Sequence, residues 1–592
     1  MATKKLITNY LRLHTIEQIR ESLSETANNS YYVFAGKHLA YASGDTVVPV
    51  IENTTDETLY NAYEEMVFGK RVAPTDVAIM APRYMWTANT KYAAYRSDQD
   101  LTSQQFFVCV DNGATFDVFK CLDNNKNVAS TVAPDPTQTS PDDTYYRTSD
   151  GYVWKYMYSV GSSEFNKFAT TTRMPVVANG YVVANAVSGA IDFIDVPFRG
   201  SNYITSLSNT FISTDLRVGG DDTKYNIANN ASSADDFYIN SFIYLTGGTG
   251  SGQGRRINQY NVVNTTKTIQ IATAFTIPPD TTTSYEITPA VTIIGNGEGA
   301  IARAIVDTDT ANSISRIEVL ARGNNYTWAT ATIVGNTGGV SNAATTNVVL
   351  GPKGGHGSKP EYELGADSLC FSVSFSNNEL NTIPTQNQYR SIGLLKDPLF
   401  ANVVITMSST VGSFLVGETV IQANTGAVGI VNEWDGVGTL SLTRLSGVVQ
   451  TGNTTNKYLV GQSTGANGAV SSFEMNGQAK SFDTFDQRDR YTFTPVSGTL
   501  QQDEVVFQEV KEVANAIFHS NTSSNLFLTH IKGAINTGQN LYGATSGASV
   551  LPTYRYPPDL VPDTGEVLYI ENLSPITRSN TQSETIKIVL QF

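Results

Sequence analysis

The 592-residue chain is 40% hydrophobic and 16% charged, against about 25% charged in an average globular domain, and its 39 basic and 54 acidic residues leave a net charge of −15. Low charge with 30 Tyr and 26 Phe excludes a disordered chain, and the acidic balance argues against nucleic acid and anionic membrane as partners of the whole surface. No apolar run approaches the ~20 residues that span a bilayer, and the opening Met1-Ala-Thr-Lys-Lys-Leu-Ile-Thr8 lacks the ~7–15-residue apolar segment of a signal peptide. The expectation is a protein made and kept in a cytoplasm. At roughly 150 residues per domain the length suggests about four domains. The Thr, Val, Ile, Tyr and Phe that replace the missing charge fit pleated, half-buried surfaces, so a mainly β chain is expected.

Two short helices are readable near the N-terminus. The first runs from Thr15 to Leu23, with Thr15 and Gln18 as a capping box and Ile16, Ile19 and Leu23 on one face. The second runs from about Thr55 to Phe68. Asp56 and Glu57 sit in its first turn, Leu59, Tyr63, Met66 and Val67 form its stripe, and Gly69 is its C-cap. Beyond that point the pattern predicts strands of 4–8 residues and no further helix. Cys109 and Cys121 flank the turn Asp111-Asn-Gly-Ala-Thr115, and pairing about Gly113 sets Cys109 opposite Asp117. These two and Cys370 match no disulfide framework or metal spacing and read as small buried hydrophobes. Residues 123–150, with Pro134, Pro136 and Pro141, form a polar loop too long for a tight turn: a contact arm or a mobile surface loop.

From about 181 the composition shifts to Asn, Thr and Gly with alternating Val and Ile. Three β regions follow, at about 237–288, 290–350 and 402–552. The last contains a duplication. Leu440-Ser-Leu-Thr-Arg-Leu-Ser-Gly-Val-Val-Gln-Thr-Gly452 recurs 86 residues later, without a gap, as Leu526-Phe-Leu-Thr-His-Ile-Lys-Gly-Ala-Ile-Asn-Thr-Gly538. A turn motif repeats as Thr425-Gly-Ala427, Thr464-Gly-Ala466 and Ser546-Gly-Ala548. Two copies of one small β module, packed in tandem, are expected, with Leu440/Leu526 and Leu442/Leu528 at equivalent core positions.

Motifs that could carry chemistry read as structure. Gly247-Gly-Thr-Gly-Ser-Gly-Gln-Gly254 lacks the Gly-Lys-Ser/Thr ending of a phosphate loop and is followed by a strand, so it reads as a hairpin loop; Gly295-Asn-Gly-Glu-Gly299 fails likewise. Gly461-Gln-Ser-Thr-Gly465 matches a nucleophile elbow, but Ser463 lies in the repeated turn. The five histidines, His14, His38, His356, His519 and His530, make no metal-ligand spacing. The pairs Asp142-Asp143, Asp221-Asp222 and Asp235-Asp236 read as solvated loop charge. No catalytic, metal or cofactor residue is assigned, and a protein that is not an enzyme is expected.

Several segments together resemble one family, the smaller wedge subunit (gene product eight type) of the baseplate of T-even-like contractile-tailed phages. They are Tyr31-Tyr-Val-Phe-Ala-Gly-Lys37, Ala81-Pro-Arg-Tyr-Met-Trp86 with Tyr92 to Asp98, Val118-Phe-Lys-Cys-Leu-Asp123, and Asp150-Gly-Tyr-Val-Trp-Lys-Tyr156. Tyr389-Arg-Ser-Ile-Gly-Leu-Leu-Lys-Asp-Pro398 and the C-terminus Gly565-Glu-Val-Leu-Tyr-Ile-Glu-Asn572, Pro575-Ile576 and Glu584 to Phe592 complete the set. The similarity covers about 1–180, 356–400 and 553–592. The blocks 181–355 and 401–552 have no counterpart and read as insertions, the second holding the tandem modules.

The resemblance implies a mainly β core; with the two short N-terminal helices and the β modules read from the residues, the expected fold is mainly β and multi-domain, a split β core carrying inserted all-β modules. The resemblance also implies a homodimer that contacts the larger baseplate wedge proteins, without enzymatic activity, in a virion assembled in the host cytoplasm. Nucleic acid and membrane are not expected partners; a host surface could be touched by the inserted modules. Tyr92, Tyr95, Tyr145, Tyr146 and Tyr203 lie in loop-like stretches and are candidate contact aromatics. The alternative from another class is a tail-spike or fibre receptor-binding protein, possibly glycan-hydrolysing, which would be a trimer. The C-terminal strand 586–590 is expected in the same domain as the strands around 31–37 or 150–156, with Ile586, Ile588 and Leu590 marking one buried face.

Overall fold

The computed structural model describes the chain except residues 1–7, 25–28, 102, 139–144, 212–216, 308–310, 335–341, 378–382, 400–402, 447, 476–477, 480–483, 511–512 and 557. The fold is mainly β and built from several sheets. The chain divides into two compact units, Met1–Ile79 with Asp367–Phe592, and Met80–Ala366. The division falls inside the segment 1–180, in the strand Val77–Pro82, so residues 80–180 share a unit with 181–366.

The first unit is organised on a five-stranded antiparallel sheet in the order 484–486, 66–71, 31–36, 387–396, 566–578. Its central strand Tyr31–Gly36 is buried at every position. Phe34 sits directly opposite glycines on both neighbours, Gly69 and Gly393. A Cβ on Gly393 would lie 2.2 Å from the Phe34 ring, and one on Gly69 would lie 2.3 Å from the ring of Phe485. Alternating rings and glycines thus let large aromatic side chains lie flat across neighbouring backbones. Gly69 is therefore a strand residue and not the expected C-cap. The helix Asp56–Glu65, capped by the Thr55 side chain on the Thr58 N–H, stops before Met66, which opens the strand Met66–Arg71. Met66, Val67 and Phe68 are buried there as strand residues, because β-branched and aromatic side chains gain more in the sheet than in a last helical turn.

The first helix also differs from expectation. It spans Asn9–Ser24, so Thr15 is mid-helix and its hydroxyl bonds back to the Leu11 carbonyl at 3.0 Å. The cap is Thr8, whose carbonyl and hydroxyl receive the Leu11 N–H. Against the expectation of strands alone beyond residue 69, the described residues include three further short α-helices, Ser162–Phe168, Gly180–Ala184 and Pro360–Glu363. At 4–7 residues they carry too little periodicity to be seen in sequence. The C-terminal strand Ser583–Gln591 pairs along its length with Ser368–Ser376, in the unit that holds strand 31–36. Ile586 and Ile588 are buried and Leu590 is half-buried.

Between strands 387–396 and 566–578 the chain makes two closed six-stranded barrels. The first uses strands 403–411, 419–422, 427–434, 439–446, 458–461 and 467–475; the second uses 489–497, 505–508, 514–521, 525–532, 541–543 and 549–556. Numbered within each barrel, both close in the order 1-4-3-2-5-6. Leu440 and Leu526 are fully buried, as are Leu442 and Leu528. The duplication is structural, and the expected core equivalences hold.

The second unit holds a sheet of strands 107–111, 115–123, 153–161 and 146–147, a six-stranded sheet over 207–289, and paired strands 191–198 with 345–350, 291–295 with 329–333 and 298–306 with 314–324. Gly247–Gly254 is a hairpin loop joining two antiparallel strands. All three cysteines are buried and free. Cys109 pairs with Val118, not Asp117, because a four-residue turn moves the register by one. The described part of loop 123–150 is pinned: Asp150 accepts from the Ser130 and Thr148 hydroxyls and from the N–H groups of Thr131, Val132 and Tyr152.

Candidate functional site

Ser463 lies between two strands, 458–461 and 467–475, and not at the strand-to-helix turn a nucleophile elbow requires. Its N–H donates to Glu418, which also receives the Leu415 and Thr464 N–H groups and the Thr464 hydroxyl. Glu504 does the same in the second barrel for Gln501, Thr545 and Ser546. Burial works against charge on both carboxyls, but these donors outweigh it and hold both below the usual carboxylate range. Gln422 and Gln508 are a second matched pair, each buried and bridging the backbone 28 residues on. Both pairs fall on the same 86-residue offset, so extending the repeat upstream of Leu440 would have found them.

The structure gathers three of the five histidines in the first unit. The His38 ring lies 4.9 Å from that of His519 and 5.7 Å from that of His530. His38 bonds Asp503 through Nδ1 at 2.9 Å and Thr529 through Nε2 at 2.8 Å. Arg488, doubly bonded to Asp486, stands 3.2 Å from Nδ1 of His519. A guanidinium only donates, so Nδ1 accepts, the proton sits on Nε2, and the Asn387 amide 3.0 Å away must present its oxygen. Burial and the Arg488 charge hold His519 neutral. The His38 and His519 imidazoles are committed to structural bonds, whereas Nδ1 of His530 is buried without a hydrogen-bond partner, and among the described residues no group of His, Cys, Asp and Glu could hold a metal ion. His14 is exposed on its helix. Chain separations of several hundred residues left no sequence signal for this cluster.

The second unit buries a denser charge cluster. Lys120, on strand Thr115–Asp123, places Nζ 3.0 Å from Asp192 Oδ2 and 2.5 Å from Glu363 Oε1. Lys155 Nζ lies 2.9 Å from Asp192 Oδ1, and Arg322 pairs with the same oxygen. Side-chain exposure is 0% for Lys120 and Asp192, 1% for Glu363 and 2% for Lys155. The Tyr95 ring covers Lys120 Nζ at 4.2 Å. Burial opposes ionisation of Asp192, yet the two lysines hold its carboxyl down at about 2, while burial pulls Lys155 down to about 8. Glu363 is fixed by the Gly357 N–H at 2.7 Å and by His356, whose Nδ1 is 3.0 Å from Oε1 while Nε2 donates to the Tyr156 carbonyl. Burial disfavours a charged His356, although both its nitrogens face oxygen acceptors, the Glu363 carboxylate and the Tyr156 carbonyl.

The candidate contact tyrosines lie elsewhere than expected. Tyr92, Tyr95 and Tyr203 are buried, and Tyr145 and Tyr146 are half-buried. The Tyr92 and Tyr203 hydroxyls accept the Thr87 and Ala344 N–H groups at 2.7 and 2.8 Å: a hydroxyl that caps local backbone lets the ring pack inward. Asp221 and Asp222 pair with Lys224 and Arg217, Asp235 accepts the Val262 N–H, and Asp142-Asp143 lies outside the described residues.

Exposed apolar side chains gather instead on one rim of the first barrel: Val411 63%, Leu415 59%, Val416 70% and Val437 78%. The Thr410 hydroxyl on the Val437 carbonyl and the Phe414–Trp434 ring contact join the two loops. The second barrel has Ser497, Gln501, Gln502 and Ser523 at these positions, all exposed. In the same unit a groove of about 640 Å³ runs between residues 41–55, the helix Asp56–Glu65 and the sheet, lined by Tyr41, Val50, Ile51 and Asn572. Compared with models of known families and with curated proteins, the sequence finds no match.

Proposed function

We propose that this chain is a structural component of a contractile phage tail baseplate wedge, joining the larger wedge proteins during tail assembly and acting through its surfaces. One observation carries the reading. The quoted segments 31–37, 389–398 and 565–572, far apart in sequence, are consecutive neighbours in one sheet. Both barrels lie between the second and third of them. A family core interrupted by added modules has this arrangement, since insertions are tolerated where chain ends meet at a surface.

The apolar rim of the first barrel and the groove beside helix Asp56–Glu65 favour contact surfaces. Exposed apolar side chains grouped this way mark interaction sites more often than scattered ones do. The chain would be a homodimer within the virion baseplate.

The test is position and copy number in intact virions, read by electron cryomicroscopy, together with mass in solution. A dimer seated among the wedge proteins is the expected result. A trimer at the particle periphery would replace this reading with the spike or fibre one. Absence from the virion would overturn both.

A further inference from the structure

We propose that Lys120 and Asp192 become joined by an intramolecular amide bond, formed autocatalytically in the folded second unit with Glu363 as proton carrier. The buried cluster can react in this way whatever the chain's role in an assembly.

Lys120 Nζ touches both groups the reaction needs: the acyl partner Asp192 at 3.0 Å and a second carboxylate, Glu363, at 2.5 Å. Lys155 at 2.9 Å and Arg322 hold the other Asp192 oxygen, Oδ1. Cations at that atom are placed where negative charge develops when a nucleophile adds to Cγ. The three reacting side chains are held by a strand, Thr115–Asp123, a second strand, Ile191–Phe198, and the helix Pro360–Glu363. The lysine and the carboxyl are thus already brought together, which removes most of the entropic barrier to joining them. Arg322, at 21% exposure, forms the outer edge of the site, while the Lys120, Asp192, Glu363 and Lys155 side chains are 0–2% exposed, which keeps bulk water from the reacting atoms. That strengthens the electrostatics and suppresses the reverse hydrolysis.

The balance closes without any co-reactant. Glu363 takes one proton from the Lys120 ammonium, which frees the nitrogen lone pair. The nitrogen adds to Cγ of Asp192, and the C–Oδ1 π pair moves onto Oδ1 between Lys155 and Arg322. Nζ then releases a second proton. Both protons pass through Glu363 to Oδ2, the C–Oδ2 bond breaks, and Oδ2 leaves as water. The pair on Oδ1 returns to restore the carbonyl. Of the three ammonium hydrogens one stays on the amide nitrogen and two leave in the water, and Glu363 ends as it began. His356 and the Gly357 N–H act as positioning groups for Glu363. The physical gain is the loss of one positive and one negative charge from a site where burying charge is costly.

The experiment is denaturing intact-mass spectrometry of the purified full-length chain, with tandem sequencing of its peptides. The expected result is a chain lighter than its sequence by one water, with a branched peptide joining Lys120 to Asp192. Glu363→Gln should restore the full mass while the protein still melts cooperatively. Lys120→Arg, which keeps the charge, should do the same if Glu363→Gln does not fold. A wild-type chain at its full sequence mass overturns the proposal. So does a water loss located at Lys155 or at a cyclised aspartate, or one that persists in both variants.

Discussion

Replacing Gln422 with Ala should loosen the first barrel and leave the second intact. The Gln422 side chain is fully buried. Its Nε2 donates to the carbonyls of Gln450 at 2.8 Å and Lys457 at 2.6 Å, and its Oε1 accepts the Gln450 N–H at 2.7 Å. Alanine leaves these three backbone groups without that partner. A buried polar group left unsatisfied costs about 1–3 kcal/mol. Water can enter the vacated volume, so the lower end applies to each group, for a total of about 3 kcal/mol. At 1.4 kcal/mol per factor of ten this is roughly a hundredfold more frequent opening. Native-state hydrogen exchange resolves it, because local openings report separately. Peptides from 403–475 should exchange roughly a hundredfold faster, while those from 489–556 keep their wild-type rates. Gln508→Ala should give the mirror result, since it bonds Asn536 and Gln539 in the same way. Unchanged exchange in the mutated barrel, or equal acceleration in both, would refute the claim that each barrel is an independently braced copy.

Gly69→Ala should lower stability by about 1–3 kcal/mol in thermal melts, because the new Cβ meets the buried Phe485 ring at 2.3 Å; Phe485→Leu in the same chain should recover part of the loss. Glu418 and Glu504 have folded-state pKa values below the ordinary 4.5. Their contribution is therefore complete above that value and lost as pH falls through the folded one. Melting temperature followed from neutral to acid pH should fall less steeply in Glu418→Gln/Glu504→Gln than in wild type. Burial pushes the Cys109 and Cys370 thiols up to about 12 and Cys121 well above its ordinary value. A polar thiol reagent should therefore leave the native protein unlabelled in mildly alkaline buffer and modify all 3 cysteines after unfolding.

Composition and local pattern by themselves determined the mainly β class, the burial of the cysteines, the hairpin role of Gly247–Gly254 and the duplication with its core leucines. Each is a short-range property: alternation, turn chemistry and an ungapped repeat need no knowledge of distant contacts. Element limits were decided by tertiary structure. Met66, Val67 and Phe68 continue a helical stripe on paper, yet they enter a strand because a sheet with glycine opposite Phe34 is there to receive them. The contact tyrosines turned inward for the same kind of reason, since backbone N–H groups such as Ala344 took up their hydroxyls. Neither buried cluster was legible. His38 meets His519, and Lys120 meets Asp192 and Glu363, only after sheets and barrels have closed. Charges scattered along a sequence read as solvated; the fold brought these together out of water, where their chemistry changes.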